Sequence, residues 1–84
     1  MTEQILLSQR SFSDGKVLPF LVKEEYISTP GGAYSLYLFS QEINTNDTQD
    51  RKFRYRKLRF DGIDARFQSR SDASQYARQR LALD

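Results

Sequence analysis

The sequence predicts a small α+β domain: an antiparallel sheet of four to five strands with one C-terminal helix packed on one face. Three observations carry this. Two turn signals, Thr29-Pro30-Gly31-Gly32 and Asp61-Gly62, each separate strand-like runs. Only the last stretch, Asp72 to Leu83, places apolar residues at helical spacing. At 84 residues the chain has room for one core, so residues 1–84 are read as a single domain.

Gln4 to Gln9 is a short apolar segment and reads as the first strand. Ser11 to Lys16 follows as a turn, with Asp14-Gly15 its strongest signal. Val17 to Ser28 is the next strand candidate. Pro19 cannot donate to a ladder, so that strand starts after it or keeps it at an edge or bulge. At Thr29–Gly32, proline suits the second position of a turn and glycine supplies positive φ at the next, which makes a hairpin. Its second arm, Ala33 to Ser40, is apolar on both sides. Tyr34, Leu36 and Leu38 point one way, and Tyr37 and Phe39 the other, as in a central strand.

Glu42 to Asp50 is polar and reads as a surface loop. Arg51 to Phe60 is a strand whose apolar residues change parity: Phe53 and Tyr55 share one face, Leu58 and Phe60 the other. A β-bulge near Arg56-Lys57 would bring all four to one face. Asp61-Gly62 is a type I′ hairpin signature. It pairs Phe60 with Ile63 and Leu58 with Ala65, and sets Arg59 opposite Asp64. Ser69 with Asp72 resembles a capping box, and Ala73, Tyr76, Ala77 and Leu81 form a stripe to pack on the sheet.

The chain contains neither cysteine nor histidine. That excludes disulfides, thiolate chemistry, Ser–His nucleophiles and the usual zinc sites. No P-loop, dinucleotide or calcium-loop motif is present, and Glu24 and Glu25 point to opposite faces of a strand, so they do not form a carboxylate dyad. The expectation is a non-enzymatic protein without cofactor or metal. The longest apolar run has six residues, far short of the roughly 20 that span a bilayer. With an acid near the N-terminus and no long apolar stretch after it, the expected location is cytoplasmic, away from membranes.

The net charge of +2 conceals a division. Residues 1–50 carry three basic and seven acidic residues, whereas residues 51–84 carry ten and four, a balance of −4 against +6. Eight of those ten are arginines, the cation best suited to anionic partners. Lys52, Arg54, Arg56, Lys57 and Arg59, extended by Arg66 and Arg70, are the candidate contacts to nucleic acid or to an acidic protein surface. Phe53 and Tyr55 are candidate stacking platforms among them. In strand–helix order and charge the layout is similar to small DNA-binding domains of some phage integrases, which implies a sheet inserted in the major groove. The alternative is an accessory or inhibitory subunit that docks on a larger assembly through its arginines and a tyrosine-rich hairpin, with Tyr34, Tyr37 and Phe39 as interface candidates. The opposed charges of the two halves also admit a homo-oligomer.

Overall fold

The computed structural model describes residues 3–27, 30–43 and 50–83. It has a four-stranded antiparallel sheet, a two-stranded hairpin and one helix, which is the expected α+β class. The strands are β1 (Gln4–Ser8), β2 (Phe20–Glu24), β3 (Tyr34–Ile43) and β4 (Lys52–Lys57), in spatial order β1-β4-β3-β2. The small hairpin joins β5 (Arg59–Phe60) to β6 (Ile63–Asp64), and α1 spans Arg70–Arg80.

The tyrosine-rich arm is the central strand β3, so both of its faces are covered, and Leu36 and Tyr37 are fully buried on opposite sides. β2 starts at Phe20, directly after Pro19, whose carbonyl accepts from Phe39 N at 3.0 Å. The β2–β3 loop keeps the two glycines at positive φ (Gly31 +100°, Gly32 +122°). Gly32 lies so close to the Phe67 carbonyl that a Cβ would sit 2.6 Å from its carbon. Ser28, Thr29 and residues 44–49 lie outside the described residues. Glu42 and Ile43, expected in a loop, instead extend β3 and pair with Phe53 and Lys52.

The parity change in residues 53–60 has a different origin from the one expected. No bulge lies near Arg56-Lys57; the register shift falls in β3, between Phe39 and Gln41. Instead β4 ends at Lys57, and each parity serves its own core. On one face Phe12, Tyr37, Phe53 and Tyr55 cluster, flanked by Ile5, Leu7, Val17 and Leu21. On the other, Leu36, Leu58, Ala65 and Ala77 cluster with Phe20, Val22, Leu38, Phe67 and Tyr76. The first core is closed by the segment after β1, which makes two short 3₁₀ turns (Gln9–Ser11 and Ser13–Gly15) and drops Phe12 edge-on against Phe53 at 6.0 Å. The sheet is therefore the middle of three layers.

The Asp61-Gly62 turn forms with both residues at positive φ (52° and 79°), as type I′ requires. Arg59 pairs with Asp64 at 3.0 Å. Leu58 and Ala65 are buried as their pairing predicts, but Phe60 and Ile63, nearer the tip, are 49% and 72% exposed. The hairpin is fastened to β3 by Leu58 N to Leu36 O (2.7 Å) and by a two-way bridge between Tyr34 and Phe67. Ser69 Oγ accepts from Asp72 N at 3.0 Å and caps α1. The helix lies against β2 and β3, with Ala73 and Ala77 fully buried. Among the described residues no helix is long and apolar enough to cross a membrane.

Candidate functional site

The seven basic candidates do not form one patch. β4 alternates, so Lys52, Arg54 and Arg56 face the side that carries the helix, whereas Phe53, Tyr55 and Lys57 face the first core. α1 covers the β2–β3 half of its side, and the β4–β1 half extends beyond it. There the cross-strand register sets Arg56 between Leu38 and Gln4, Arg54 between Gln41 and Leu6, and Lys52 between Ile43 and Ser8. No carboxylate stands opposite any of the three. Lys52 reaches Asp50 at 3.1 Å at the start of its strand. Among the described residues neither Arg54 nor Arg56 has an ion-pair partner, and Arg54 Nε is buried without a hydrogen bond. Arg56 is exposed, as is Leu6 (58%). A groove of about 350 Å³ runs beside Arg56, lined by Leu38, Ser40 and Arg59 among others.

The other candidates are engaged elsewhere. Arg59 binds Asp64 and donates to the Gly62 carbonyl. Arg66 donates to the Pro30 carbonyl at 2.7 Å and lies over the Tyr26 ring at 4.1 Å. Arg70 donates to the Val22 carbonyl at 3.1 Å and covers the Tyr34 ring at 5.4 Å. Its bond secures the outer edge of β2.

Lys57 is the clear correction: its side chain is 4% exposed and cannot meet a partner. It reaches Glu25 at 2.6 Å, Glu3 at 2.8 Å and Asp64 at 3.3 Å, and donates to the Tyr26 hydroxyl at 3.1 Å. Burial by itself would lower its pKa, but the hydrogen bonds to Glu25, Glu3 and Tyr26 outweigh that and hold the ammonium charged beyond its ordinary range. Burial likewise pushes the Glu25 carboxyl up, and its bonds to Lys57, Tyr37 and Ser35 more than reverse this, so it titrates below its ordinary value. Asp64 is lowered chiefly by the Tyr26 hydroxyl and then by Lys57. Tyr37 donates to Glu25 at 2.6 Å, and burial plus that carboxylate raise its hydroxyl's pKa. The cluster ties the β1, β2, β4 and β6 regions together and is a structural knot.

Phe53 and Tyr55, at 2% and 0% exposure, are core residues and cannot stack on bases. Tyr37 is equally buried and is no interface residue. Tyr34 is half-buried beneath Arg70, and only Phe39, 41% exposed, remains accessible of the tyrosine-rich arm. The face opposite the helix, which the integrase-like layout would present to a groove, is occupied by Phe12 and its segment. Sequence reasoning missed the Lys57 cluster, although the signal was present: Lys57 shares the parity of Phe53 and Tyr55 and had to enter the apolar side. The fold and this face define a small α+β domain with an open cationic strip beside its helix. No protein-family model matches the chain, and comparison with curated proteins and with solved structures found no match.

Proposed function

We propose that this is a cytoplasmic, non-enzymatic protein that binds nucleic acid through its phosphate backbone, along the β4–β1 half of the helix-bearing face. Arg54 and Arg56 are the principal contacts, and Lys52 extends them. The observation that supports this is the placement of two arginines side by side on the part of this face that the helix leaves uncovered, with only neutral residues opposite them in the ladder and, among the described residues, no carboxylate partner. Successive same-face residues lie about 6.8 Å apart along a strand, two steps of a duplex whose phosphates advance about 3.4 Å per strand. With no aromatic ring on the strip, the contact is to charge and shape, so sequence preference is weak.

The test is fluorescence anisotropy with single- and double-stranded DNA and RNA at two salt concentrations. Three neutralised duplex phosphates give a log–log salt slope of about −2.7, so affinity falls about 40-fold between roughly 50 and 200 mM salt. Arg54→Glu with Arg56→Glu abolishes that binding and leaves the fold intact. If no nucleic acid binds at the lower salt, the proposal fails and the strip is assigned to an acidic protein surface.

A further inference from the structure

We infer that two copies of this chain pair through the free edges of β1, antiparallel and two-fold symmetric about Leu6. The sheet has two outer edges, β1 and β2. At β2 the Val22 carbonyl is already taken by Arg70, and the helix lies alongside. β1 is open. Its inner hydrogen bonds are fixed by Lys57 N to Glu3 O at one end and Gln9 N to Arg51 O at the other. Antiparallel ladders alternate, so residues 3, 5, 7 and 9 bond to β4, while the backbone groups of Gln4, Leu6 and Ser8 point outward. Among the described residues no hydrogen bond reaches those outward groups.

The strand also lacks the usual guards. Gln4 to Ser8 contains no charge, no proline and no bulge, and Leu6 is 58% exposed. Pairing about Leu6 is the register that employs all three outward residues: Leu6 faces its own copy, and Gln4 faces Ser8. On the opposite face Ile5 then meets Leu7, two half-buried apolar residues that already border the first core. The Glu3 end of one copy comes to the Arg10 end of the other, with opposite charges. Because Arg70 already holds the Val22 carbonyl in the middle of the β2 edge, β1 of a neighbour would have to displace it to add there, and the two-fold β1–β1 pairing closes as a dimer instead of growing into a filament. The two-fold axis stands perpendicular to the sheet, so Arg54 and Arg56 of both copies share one face, with the two β4 strands about 14 Å apart.

The test needs no nucleic acid, so its failure is separate from failure of the binding proposal. Light scattering during size exclusion, from micromolar to millimolar chain, should give twice the 9.8 kDa chain mass at the upper end. Leu6→Lys, at an exposed position, should return the single-chain mass with unchanged far-UV circular dichroism. Because the chain has no cysteine, register is read directly. Leu6→Cys brings two thiols to a facing pair about 5.5 Å apart at Cα, within disulfide range, and oxidises to a covalent dimer. Gln4→Cys places them about 14 Å apart and does not. A wild-type chain that keeps its single mass throughout overturns the inference. So does a Leu6→Lys variant that still dimerises, or cross-linking of Gln4→Cys as readily as Leu6→Cys.

Discussion

Lys57→Met separates this structure from a reading in which β4 is simply a basic strand. Methionine preserves an unbranched stem but removes the cation that three carboxylates share, at 2.6, 2.8 and 3.3 Å. Removing one partner of a buried ion pair costs about 3–5 kcal/mol. Here the carboxylates keep some access to water, with side-chain exposures of 16% for Glu25, 27% for Asp64 and 58% for Glu3, and Asp64 retains Arg59. The low end, about 3 kcal/mol, is therefore the expected loss. A chain of 84 residues has roughly 4–13 kcal/mol of total stability, so this is a large share. Urea unfolding followed by far-UV circular dichroism at neutral pH reads it out. With an m-value near 1 kcal/mol/M, the midpoint falls by about 3 M. The control is the preceding residue: Arg56→Met removes an exposed cation that has no carboxylate partner among the described residues and should shift stability by no more than about 0.5 kcal/mol. If the two variants unfold at the same urea concentration, Lys57 does not hold the cluster together.

The cluster also sets an acid limit. Glu25 and Asp64 titrate below their ordinary 4.5 and 3.8, so the stability they confer is complete above those values and is lost as pH falls through their lower folded-state values. Lys57 is held above its ordinary 10.5, so its share persists below that pH and is lost only on going higher. The urea midpoint of the wild type should thus be flat from about pH 6 to 9 and drop below about pH 4.5, and in Lys57→Met the acid drop should be smaller. Gly32→Ala forces a methyl into the Phe67 carbonyl at positive φ and should cost more than about 3 kcal/mol, whereas Gly62→Ala, with open space around it, should cost about 1–2, both by urea titration. Ser69→Ala removes the helix cap and should cost about 1 kcal/mol, with fraying of the first turn of α1 visible in amide exchange.

Much of the fold was legible where local chemistry is decisive. Asp61-Gly62, Ser69 with Asp72, and the alternation of β3 each constrain a few adjacent residues, and those elements formed as expected. What stayed hidden depended on partners distant in sequence. Phe12 lies in a stretch that reads as a polar turn, and its burial is set by Phe53 and Tyr55, more than forty residues away. The parity change at Leu58 was visible, but reading it as a bulge assumed a sheet with one buried face. Two cores explain it without displacing the register. For the site, density of charge was legible and its division was not. Alternation along β4 sends Arg54 and Arg56 to the helix-bearing side, Arg56 exposed and Arg54 half-buried, and Lys57 to the interior of the other side, and the acids that receive Lys57 come from three other parts of the chain.

The pairing of the first strand with the fourth has a consequence in time. Leu6 faces Arg54, a separation of 48 residues, and nothing nearer in the sequence offers β1 a ladder. At synthesis rates of about 5–20 residues per second, the first strand waits roughly 2–10 s before its neighbour has been made. During that interval β2 and β3 can zip through their short connection, while Gln-Ile-Leu-Leu-Ser stays an apolar, uncharged ribbon with both edges bare. Insertion of β1 beside β4 is then the late step of folding, and the nascent chain is most vulnerable to chaperone capture or misassembly before it occurs.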